Sequence, residues 1–472
     1  MQTPVFYNTL GRHLSQLETV VPGEVRMYTC GPTVYNTAHI GNLRTFVFED
    51  VLRRALHFLG WRVEQVMNLT DVDDKTIGGA ASAGVSLGEF TQPFIESFFH
   101  DLDRLHIQRA EHYPRATEHI EEMLELVQTL VEKGYAYESD GSVFFRIGED
   151  EDYGKLSGFD LSQVRQGERV ASDDYDKEDV RDFVLWKGAK EGEPAWDSPW
   201  GPGRPGWHLE CSAMGMKYLG ESFDIHCGGV DNIFPHHENE IAQSESATGK
   251  PFVRTWIHAE HLIVDGEKMS KSLGNFYTLQ DLEDRGVDLR ALRYQMLSVH
   301  YRKKLNFTFD GLADAGAALK RLDEMRFRLL HATESETVSD SVIESACERL
   351  LQEFGDALAN DLNTSEALAA LFGFVREVNQ AVDSERLAVG DRQRVLDSLS
   401  RVDEVLGVLD ADPWRGAEVD GSSDEAIDRL LLERRQAREA RDFARADEIR
   451  DQLTEQGIVL EDTPTGTRWK RQ

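Results

Sequence analysis

Residues 24–69 read EVRMYTCGPTVYNTAHIGNLRTFVFEDVLRRALHFLGWRVEQVMNL, and their pattern predicts a strand, a helix and a second strand. The first strand spans residues 24–30. From Asn42 to about Leu59 the apolar residues recur at the spacing of an amphipathic helix. The second strand follows over Arg62 to Leu69. Such units build parallel sheets with helices on both faces and right-handed crossovers, so the sequence predicts an α/β fold.

The rest of the chain changes pattern several times. It is helical over 87–135, polar and rich in glycine and proline over 140–205, and nearly all helical from about 310 to 408. Strand patterns return at Phe223–Cys227 and Thr255–His258. We therefore predict two halves of one sheet domain (1–135 and 206–309) separated by a connective insertion (136–205), then a helical bundle (310–410) and a linker with a small terminal unit (411–472).

Two local signals precede the bundle. Asp265-Gly266 is a turn typical of a β-hairpin. Thr278 is a predicted helix N-cap, with Asp281 three residues later and Gly286 as the stop signal.

The charge balance is strongly acidic. The 472 residues include 85 acidic and 52 basic side chains, a net charge of −33. This balance disfavours a general polyanion binder, so a nucleic-acid partner would need local basic patches. We hypothesise an acidic surface adapted to a salty cytoplasm. No apolar run approaches the ~20 residues that span a membrane, and the N-terminus lacks signal-peptide features, so we expect a cytoplasmic protein without a membrane partner.

Cysteine and histidine positions suggest a metal site. In a long cytosolic chain, cysteines are better candidates for metal or catalytic roles than for disulfides. The four cysteines are Cys30, Cys211, Cys227 and Cys347. His236 and Glu240 are four residues apart on a predicted helix start, so their side chains face the same way. With Cys30 and Cys211 they make a plausible zinc set, and the alternative is two buried free thiols beside a helix surface pair.

Two further segments have features that favour the binding of phosphate groups. His39, Gly41 and Asn42 lie at the strand-to-helix junction, where a helix N-terminus offers free N–H groups and Gly41 permits close approach. Lys268 and Lys271 lie in KMSKS after the hairpin and could wrap a triphosphate. The alternatives are a structural histidine and a solvated basic loop.

Together these two segments resemble HIGH and KMSKS, the paired signatures of class I aminoacyl-tRNA synthetases. Asn42 stands where the family has its second histidine, and it still donates a hydrogen bond. CGPTVYNTAHIG, NLTDVDDK, GRPGWHLECSAM, DIHCGGVDNIFPHHENEIAQS and KMSKSLGN resemble the cysteinyl-tRNA synthetase branch, and the similarity covers nearly the whole chain. The resemblance implies a Rossmann-like parallel sheet with a connective insertion, a C-terminal helical bundle and a small α+β anticodon-binding unit.

The resemblance also implies an activity. A monomer would activate L-cysteine with ATP and Mg²⁺ to cysteinyl-adenylate and transfer the cysteine to the 3′ end of tRNA(Cys). One zinc ion per subunit, held by Cys30, Cys211, His236 and Glu240, would select the thiol, because zinc prefers a soft thiolate to an alcohol. Cys227 departs from the family pattern, and its role is open.

Individual roles follow from the same resemblance. Phosphate contact and catalysis are assigned to His39, Asn42, Lys268 and Lys271. Gly41, Gly229 and Asp231 complete the ATP site, with Gly229 and Asp231 at the ribose. Thr70 and Trp207 line the cysteine site.

The C-terminus carries arginines and an aromatic residue. We predict a helix pair near 424–456 and a short extended tail. The arginines are Arg434, Arg435, Arg438, Arg441, Arg445 and Arg450. Such a surface with an exposed aromatic suits single-stranded RNA, although the helices taken alone are more typical of solvated Glu/Arg pairs. The resemblance makes this unit the anticodon-binding domain, with Trp469 stacking on an anticodon base.

Two other functions fit part of the pattern. An ATP-dependent ligase joining cysteine to an amino sugar would share the catalytic fold and zinc site, but it would not need the basic tail. A non-enzymatic, zinc-stabilised RNA-binding paralogue would not need intact HIGN and KMSKS elements.

Overall fold

A computed structural model of the chain describes residues 1–158, 179, 181–336 and 342–410, together with 430–434, 437–438, 442–455, 458–463 and 466–471. The chain divides into two compact units, Met1–Asp410 and Ala411–Gln472. Residues 411–429, which include the predicted linker and the first part of the predicted terminal helix pair, lie outside the described residues. The same holds for residues 159–178 and 180 of the predicted insertion.

The strands of the described residues are β1 (Val5–Asn8), β2 (His13–Gln16), β3 (Glu24–Thr29), β4 (Arg62–Met67), β5 (Ala136–Ser139), β6 (Ser142–Phe145), β7 (Phe183–Gly188), β8 (Gly203–Pro205), β9 (Phe223–Gly229), β10 (Val253–Ala259), β11 (Leu262–Val264), β12 (Glu267–Lys268), β13 (Leu305–Phe307), β14 (Ile458–Thr463) and β15 (Gly466–Arg471). The helices are α1 (Ile40–Phe58), α2 (Asp74–Ala83), α3 (Leu87–Arg104), α4 (Ile120–Glu132), α5 (Trp207–Leu219), α6 (Glu238–Thr248), α7 (Leu279–Glu283), α8 (Leu289–Ser298), α9 (Phe309–His331), α10 (Val342–Ala359), α11 (Thr364–Asp383), α12 (Asp391–Leu406) and α13 (Phe443–Glu455).

The central sheet has the strand order β10-β9-β3-β4, and its strands are parallel. β3 pairs on one side with β4, which follows it through α1, and on the other side with β9 from the second half of the domain. This confirms the predicted α/β fold with a parallel sheet built from two separated stretches of chain. The carboxyl ends of β3 and β9 are therefore adjacent, which is where open parallel sheets bind ligands.

Helix α1 begins two residues before the predicted start, because His39 forms its N-cap. The His39 ring accepts from the N–H groups of Gly41 and Asn42, at 3.1 and 3.2 Å, while Asn42 Oδ1 accepts from the His39 N–H. The buried face of α1 packs on the sheet. Arg44, which is also buried, donates through Nη2 to the carbonyl of Val299, just after α8, at 2.8 Å.

The helical pattern predicted over 87–135 is interrupted. α3 ends at Arg104 and α4 begins at Ile120, because the chain between them runs beside β4. Met67 N–H donates to the His112 carbonyl at 3.0 Å, and Leu69 N–H donates to the Pro114 carbonyl at 2.8 Å. These backbone bonds to the sheet take precedence over helical propensity.

The stretch predicted as a connective insertion (136–205) carries a second sheet, which the sequence pattern did not predict. Its order is β5-β6-β7-β8, and neighbouring strands are antiparallel. Phe144, Phe145 and Trp186 are fully buried in it. The mixture of Gly, Pro and polar residues in this region obscured the short strands.

The local signals between sheet and bundle are confirmed. β11 and β12 form an antiparallel hairpin around Asp265 and Gly266, both at positive φ. Thr278 caps α7, with its side chain accepting from Asp281 N–H and the Asp281 carboxylate accepting in return. β13 then adds to β11 in parallel.

Helices α9 to α12 form the helical region expected between 310 and 408. A buried arginine of the sheet domain joins an ion pair within that domain to the end of this helical region. Arg293 on α8 donates to Asp50 on α1 at 2.6 Å and to the Leu406 carbonyl, at the end of α12, at 2.8 Å. Arg293 and Asp50 are both nearly inaccessible to solvent. The middle of α1 and the end of α12 thus share one polar junction at Arg293.

In the C-terminal unit, α13 is followed by the antiparallel pair β14 and β15. Ile449 and Leu453 form a small core with Leu430 and Leu431. In the part of the chain that the structure describes, no helix is long and apolar enough to cross a membrane.

Candidate active site

The four residues predicted to hold zinc come together beside the carboxyl ends of β3 and β9. Cys30 follows β3, Cys211 lies in the first half of α5, His236 lies in the turn before α6, and Glu240 lies in the first turn of α6. One ligand atom from each lies within 4.8 Å of the others. Cys30 is 181 positions from Cys211 in the sequence and further still from the other two residues. The pairing of β3 with β9 brings these distant segments together.

The donor set fits a metal ion. Glu240 Oε1 is buried and has no hydrogen-bond partner among the described residues, although it lies 3.1 Å from His236 Nε2. Burial lowers the pKa of His236 well below its usual value, so its ring is neutral and can offer a lone pair. Burial raises the pKa of Glu240 and of Cys30, and a cation would stabilise both as anions. Two sulfurs, a nitrogen and a carboxylate oxygen are typical ligands of zinc.

Three buried histidines lie beside these four residues, and the sequence analysis did not identify them as part of the site. His226 Nε2 lies 2.9 Å from Glu240 Oε2, and His237 Nε2 lies 3.2 Å from Cys30 Sγ. His237 Nδ1 lies 2.8 Å from His258 Nε2, and burial lowers the pKa of His258 and of His226 to about 3. Cys30, His226, His237 and Glu240 also form a group of four ligand atoms within 4.8 Å. The neighbouring DIHC and PHH segments were the signal in the sequence, but spacing alone does not show which histidines face the site.

The two nucleotide motifs are adjacent. Ile40 N–H donates to the Tyr277 carbonyl at 3.0 Å, and the His39 and Phe276 rings meet edge to face at 5.0 Å. A Cβ on Gly41 would lie 2.9 Å from Met269 Cε, so the methionine of KMSKS closes on the glycine of the first motif. A Cβ there would also lie 2.9 Å from His39 Cε1, so a larger residue would have to displace the His39 ring that caps α1.

The lysine loop is short and internally hydrogen-bonded. Ser270 N–H donates to Asn275 Oδ1 at 2.8 Å, and the Ser270 and Ser272 hydroxyls are 2.6 Å apart. Lys268 is exposed at the end of β12. Lys271 begins a 3₁₀ turn, Lys271–Leu273, and its side chain lies outside the described residues.

Gly229 and Asp231 lie at the end of β9 and in the turn that follows it. A Cβ on Gly229 would collide with Asp231 Oδ1 and would lie 3.9 Å from Thr45 Oγ1 on α1. The backbone at Gly229 therefore runs close to the same end of α1 that carries His39 and Asn42.

Thr70 and Trp207 lie next to the metal ligands. The Trp207 ring stacks on His236, with centroids 4.1 Å apart and planes at 20°, and it is 42% exposed. Thr70 is buried, and its hydroxyl donates to Glu210 Oε2 at 2.7 Å. Glu210 immediately precedes Cys211, and sequence reasoning did not single it out.

Cys227 is a buried residue of β9, opposite Thr29 on β3. Its carbonyl accepts from the Cys30 N–H at 3.3 Å, and burial raises the pKa of its thiol. Its sulfur belongs to neither group of metal-ligand atoms among the described residues.

The C-terminal arginines are not a uniform exposed patch. Arg434 is buried, and Arg445 pairs with Glu433 at 2.8 Å and with Glu448 at 2.5 Å. Arg450 is exposed, whereas Arg435 and Arg441 lie outside the described residues. Trp469 lies on β15 opposite Leu460, and its side chain is also outside the described part.

Three family models match the chain in order. They are "tRNA synthetases class I (C) catalytic domain" over residues 16–317, "DALR domain" over 353–410 and "Cysteinyl-tRNA ligase anticodon binding domain" over 420–469. Cysteine–tRNA ligase of Solibacter usitatus (strain Ellin6076) is 50% identical over 466 residues, which are 99% of each protein. Cysteine–tRNA ligase of Protochlamydia amoebophila (strain UWE25) is 48% identical, covering 99% of this chain and 97% of the relative.

Solved structures show the same fold at low identity. Methionyl-tRNA synthetase of Mycobacterium tuberculosis, in complex with methionyl-adenylate, superposes with a TM-score of 0.58 at 16% identity over 86% of this chain and 94% of that one. A LeuRS of Agrobacterium radiobacter K84, in a ternary complex with tRNA and LeuAMS, gives a TM-score of 0.59 at 12% identity over 94% and 95%.

Proposed function

The chain belongs to the cysteine–tRNA ligase family of class I synthetases, and from this premise we propose how its residues perform the reaction. It is an aminoacyl-tRNA synthetase that attaches cysteine to tRNA(Cys). The match of about half of all positions over 99% of the chain carries this conclusion. The cysteine–amino sugar ligase and the RNA-binding paralogue are not favoured, because the relatives are tRNA ligases and an anticodon-binding model matches residues 420–469.

We propose that Cys30, Cys211, His236 and Glu240 hold one zinc ion per subunit. The close approach of four ligand atoms supports this assignment, as does Glu240 Oε1, which has no hydrogen-bond partner in the described part of the chain. Zinc in this position would supply a soft Lewis acid, which favours a thiolate over the hydroxyl of serine. His226 and His237 border Glu240 and Cys30, and they would orient these two ligands by hydrogen bonds.

The activation step needs no protein nucleophile. The cysteine carboxylate attacks the α-phosphorus of ATP, pyrophosphate leaves, and the chain contributes positioning and charge stabilisation. His39 and Asn42 would contact the phosphates at the start of α1, and Gly41 would let them approach the backbone. Gly229 and Asp231 would contact the ribose. Mg²⁺ would accompany ATP.

Lys268 and Lys271 would stabilise the β- and γ-phosphates as they depart. The contact between Met269 and Gly41 supports this role, because it brings the lysine loop to the phosphate end of α1. Thr70 and Trp207 would line the cysteine site beside the metal ligands.

The second step transfers cysteine to the terminal adenosine of tRNA(Cys). The C-terminal unit would bind the anticodon, with Trp469 stacking on a base. We further propose a monomer that acts in the cytoplasm.

Two assays test the function. Cysteine-dependent ATP–pyrophosphate exchange tests the activation step, and charging of tRNA(Cys) tests the transfer step. Exchange without charging would point to the amino sugar ligase, and RNA binding without exchange would point to the paralogue.

A further inference from the structure

We propose that Asn68 and Glu210 are positioning residues that commit the Thr70 hydroxyl to accept a hydrogen bond from the α-amino group of cysteine. The inference rests on the proposed cysteine site and names how that site recognises the part of the substrate that is not the thiol. Four groups carry it in sequence: the Gly31 N–H, the Asn68 amide, the Thr70 hydroxyl and the Glu210 carboxyl.

The orientation of the Asn68 amide is fixed by its neighbour. Gly31 N–H donates to Asn68 Oδ1 at 2.9 Å, and a backbone N–H can only donate. The other end of the amide, Nδ2, therefore faces Thr70 Oγ1 at 3.1 Å and donates to it. Asn68 and Thr70 are both buried, at 2% and 1% exposure, so water does not compete for these bonds.

These contacts also determine which group accepts the hydrogen bond that the Thr70 hydroxyl donates. Because its oxygen accepts from Asn68, the proton goes to Glu210 Oε2, 2.7 Å away, when the carboxyl is ionised, which is the form that a nearby substrate ammonium stabilises. A hydroxyl oxygen has two lone pairs and Asn68 uses one, so the group can still accept one hydrogen bond and cannot donate another. A hydroxyl in this state suits an N–H donor, and the α-ammonium of an amino acid is such a donor.

The hydrogen bonds of the fold do not by themselves explain why the Glu210 carboxyl is buried. The residue is fully buried, and its Oε1 has no hydrogen-bond partner among the residues that the structure describes. The acidic side chains of Asp71 and Asp73 are near enough to interact with it electrostatically. A buried carboxyl with one hydrogen bond and acidic neighbours is costly, and costs of this kind persist where a group has a functional partner.

The relay also fixes the amino group relative to the thiol. It begins at Gly31, the residue after Cys30, and ends at Glu210, the residue before Cys211. A side chain on Gly31 would collide with the Asn68 carbonyl, so this end of the relay is closely packed. The relay thus runs from the residue after one proposed zinc ligand to the residue before another, and the zinc they hold would take the substrate sulfur.

The test compares two ligands of the full-length, zinc-loaded protein by calorimetry. L-Cysteine and 3-mercaptopropionate differ only in the α-amino group. The amine ratio is the dissociation constant of 3-mercaptopropionate divided by that of L-cysteine, so it falls when the amino group contributes less to binding. Glu210→Met removes the acceptor at similar length, and we expect the amine ratio to fall about 10- to 100-fold, the range of a hydrogen bond to a charged group. Glu210→Gln keeps a carbonyl acceptor and should keep the ratio within about threefold of the wild-type value.

The controls separate the possible failures. Asp101→Leu alters another buried carboxyl, on α3, one of whose oxygens has no hydrogen-bond partner among the described residues, and should leave the amine ratio unchanged. Thr70→Val should lower the ratio as Glu210→Met does, and the double variant should lose no more than either single one. If Glu210→Met does not fold, Asn68→Ala removes the donor to Thr70 without adding a charge and should lower the ratio.

Two results would overturn the inference alone: a ratio that falls in Thr70→Val but not in Glu210→Met, or an equal fall in Glu210→Gln and Glu210→Met. A ratio that stays at the wild-type value in Thr70→Val would instead remove Thr70 from the proposed cysteine site, and the inference with it.

Discussion

His236 Nε2 lies 3.1 Å from Glu240 Oε1, one helical turn further along the chain. Burial keeps the imidazole neutral, and Glu240 Oε1 has no hydrogen-bond partner among the described residues. Two lone-pair donors facing each other in a buried space repel unless a cation or a proton lies between them. With Cys30 and Cys211 beside them, this pair is the structural basis of the proposed zinc site.

Glu240→Gln should lower the zinc content of the purified protein. The amide is a poorer ligand than the carboxylate, so we expect affinity for zinc to fall by at least about tenfold. Glu245→Gln is the matched control, because Glu245 lies on the same helix and pairs with Lys155 at 2.5 Å, away from the ligands. Metal analysis after dialysis against a weak chelator measures both variants. Equal zinc retention in the two would argue against Glu240 as a ligand.

Lys271→Ala should slow cysteine-dependent ATP–pyrophosphate exchange. Removing one group that stabilises developing phosphate charge costs about 10²- to 10³-fold in kcat. Lys250→Ala provides the control, since Lys250 is an exposed lysine that pairs with Glu221. Normal exchange by Lys271→Ala would remove this lysine from the activation step.

Trp469→Ala should weaken tRNA charging while leaving amino-acid activation intact. Loss of one base–aromatic stack costs about 1–3 kcal/mol, which raises the KM for tRNA about 5- to 150-fold. Trp469→Phe keeps a ring and should lose less. The measurements are charging kinetics and pyrophosphate exchange on the same preparations. Charging by Trp469→Ala at the wild-type KM would refute the anticodon contact.

Asp50→Asn should destabilise the unit Met1–Asp410 and should make its free energy of unfolding depend less on pH in the acid range. Burial by itself raises the pKa of Asp50, but Arg293 and Arg54 outweigh burial and hold that pKa below its usual value. A carboxyl with a lowered folded pKa stabilises above its unfolded pKa, about 3.9, and loses that contribution as pH falls through the folded pKa. At pH 7, leaving Arg293 buried without its partner should cost about 3–5 kcal/mol.

The measurement is urea unfolding from pH 7 down to the acid limit. Glu404→Gln, which breaks the exposed Arg401–Glu404 pair, should cost at most about 1 kcal/mol. An Asp50→Asn protein as stable as Glu404→Gln, with the acid dependence of the wild type, would contradict the role of this junction.

Much of the fold could be predicted because its signals are local. The apolar spacing of α1, the Asp265-Gly266 turn and the Thr278 cap each depend on neighbours within a few residues. The break between α3 and α4 could not be predicted in this way, since it depends on backbone bonds to β4. The insertion sheet was missed because β6 and β7 are short and far apart in the chain.

The same distinction holds at the site. The four metal-ligand candidates were found through motif resemblance, and the structure brings their ligand atoms together. His226, His237 and Glu210 were missed because their importance lies in long-range contacts: His226 and His237 with ligand side chains, and Glu210 with Thr70, 140 positions away in sequence. No periodicity or spacing encodes such a contact.

Thiol selection by a bound metal is tested most directly by measuring zinc content together with amino-acid selectivity. The protein is purified without added metal, and kcat/KM for pyrophosphate exchange is measured with cysteine and with serine, before and after chelation. We expect one zinc per chain, a strong preference for cysteine, and loss of that preference when zinc is removed and its return when zinc is restored. A zinc-free protein that still prefers cysteine over serine to the same degree would contradict the account.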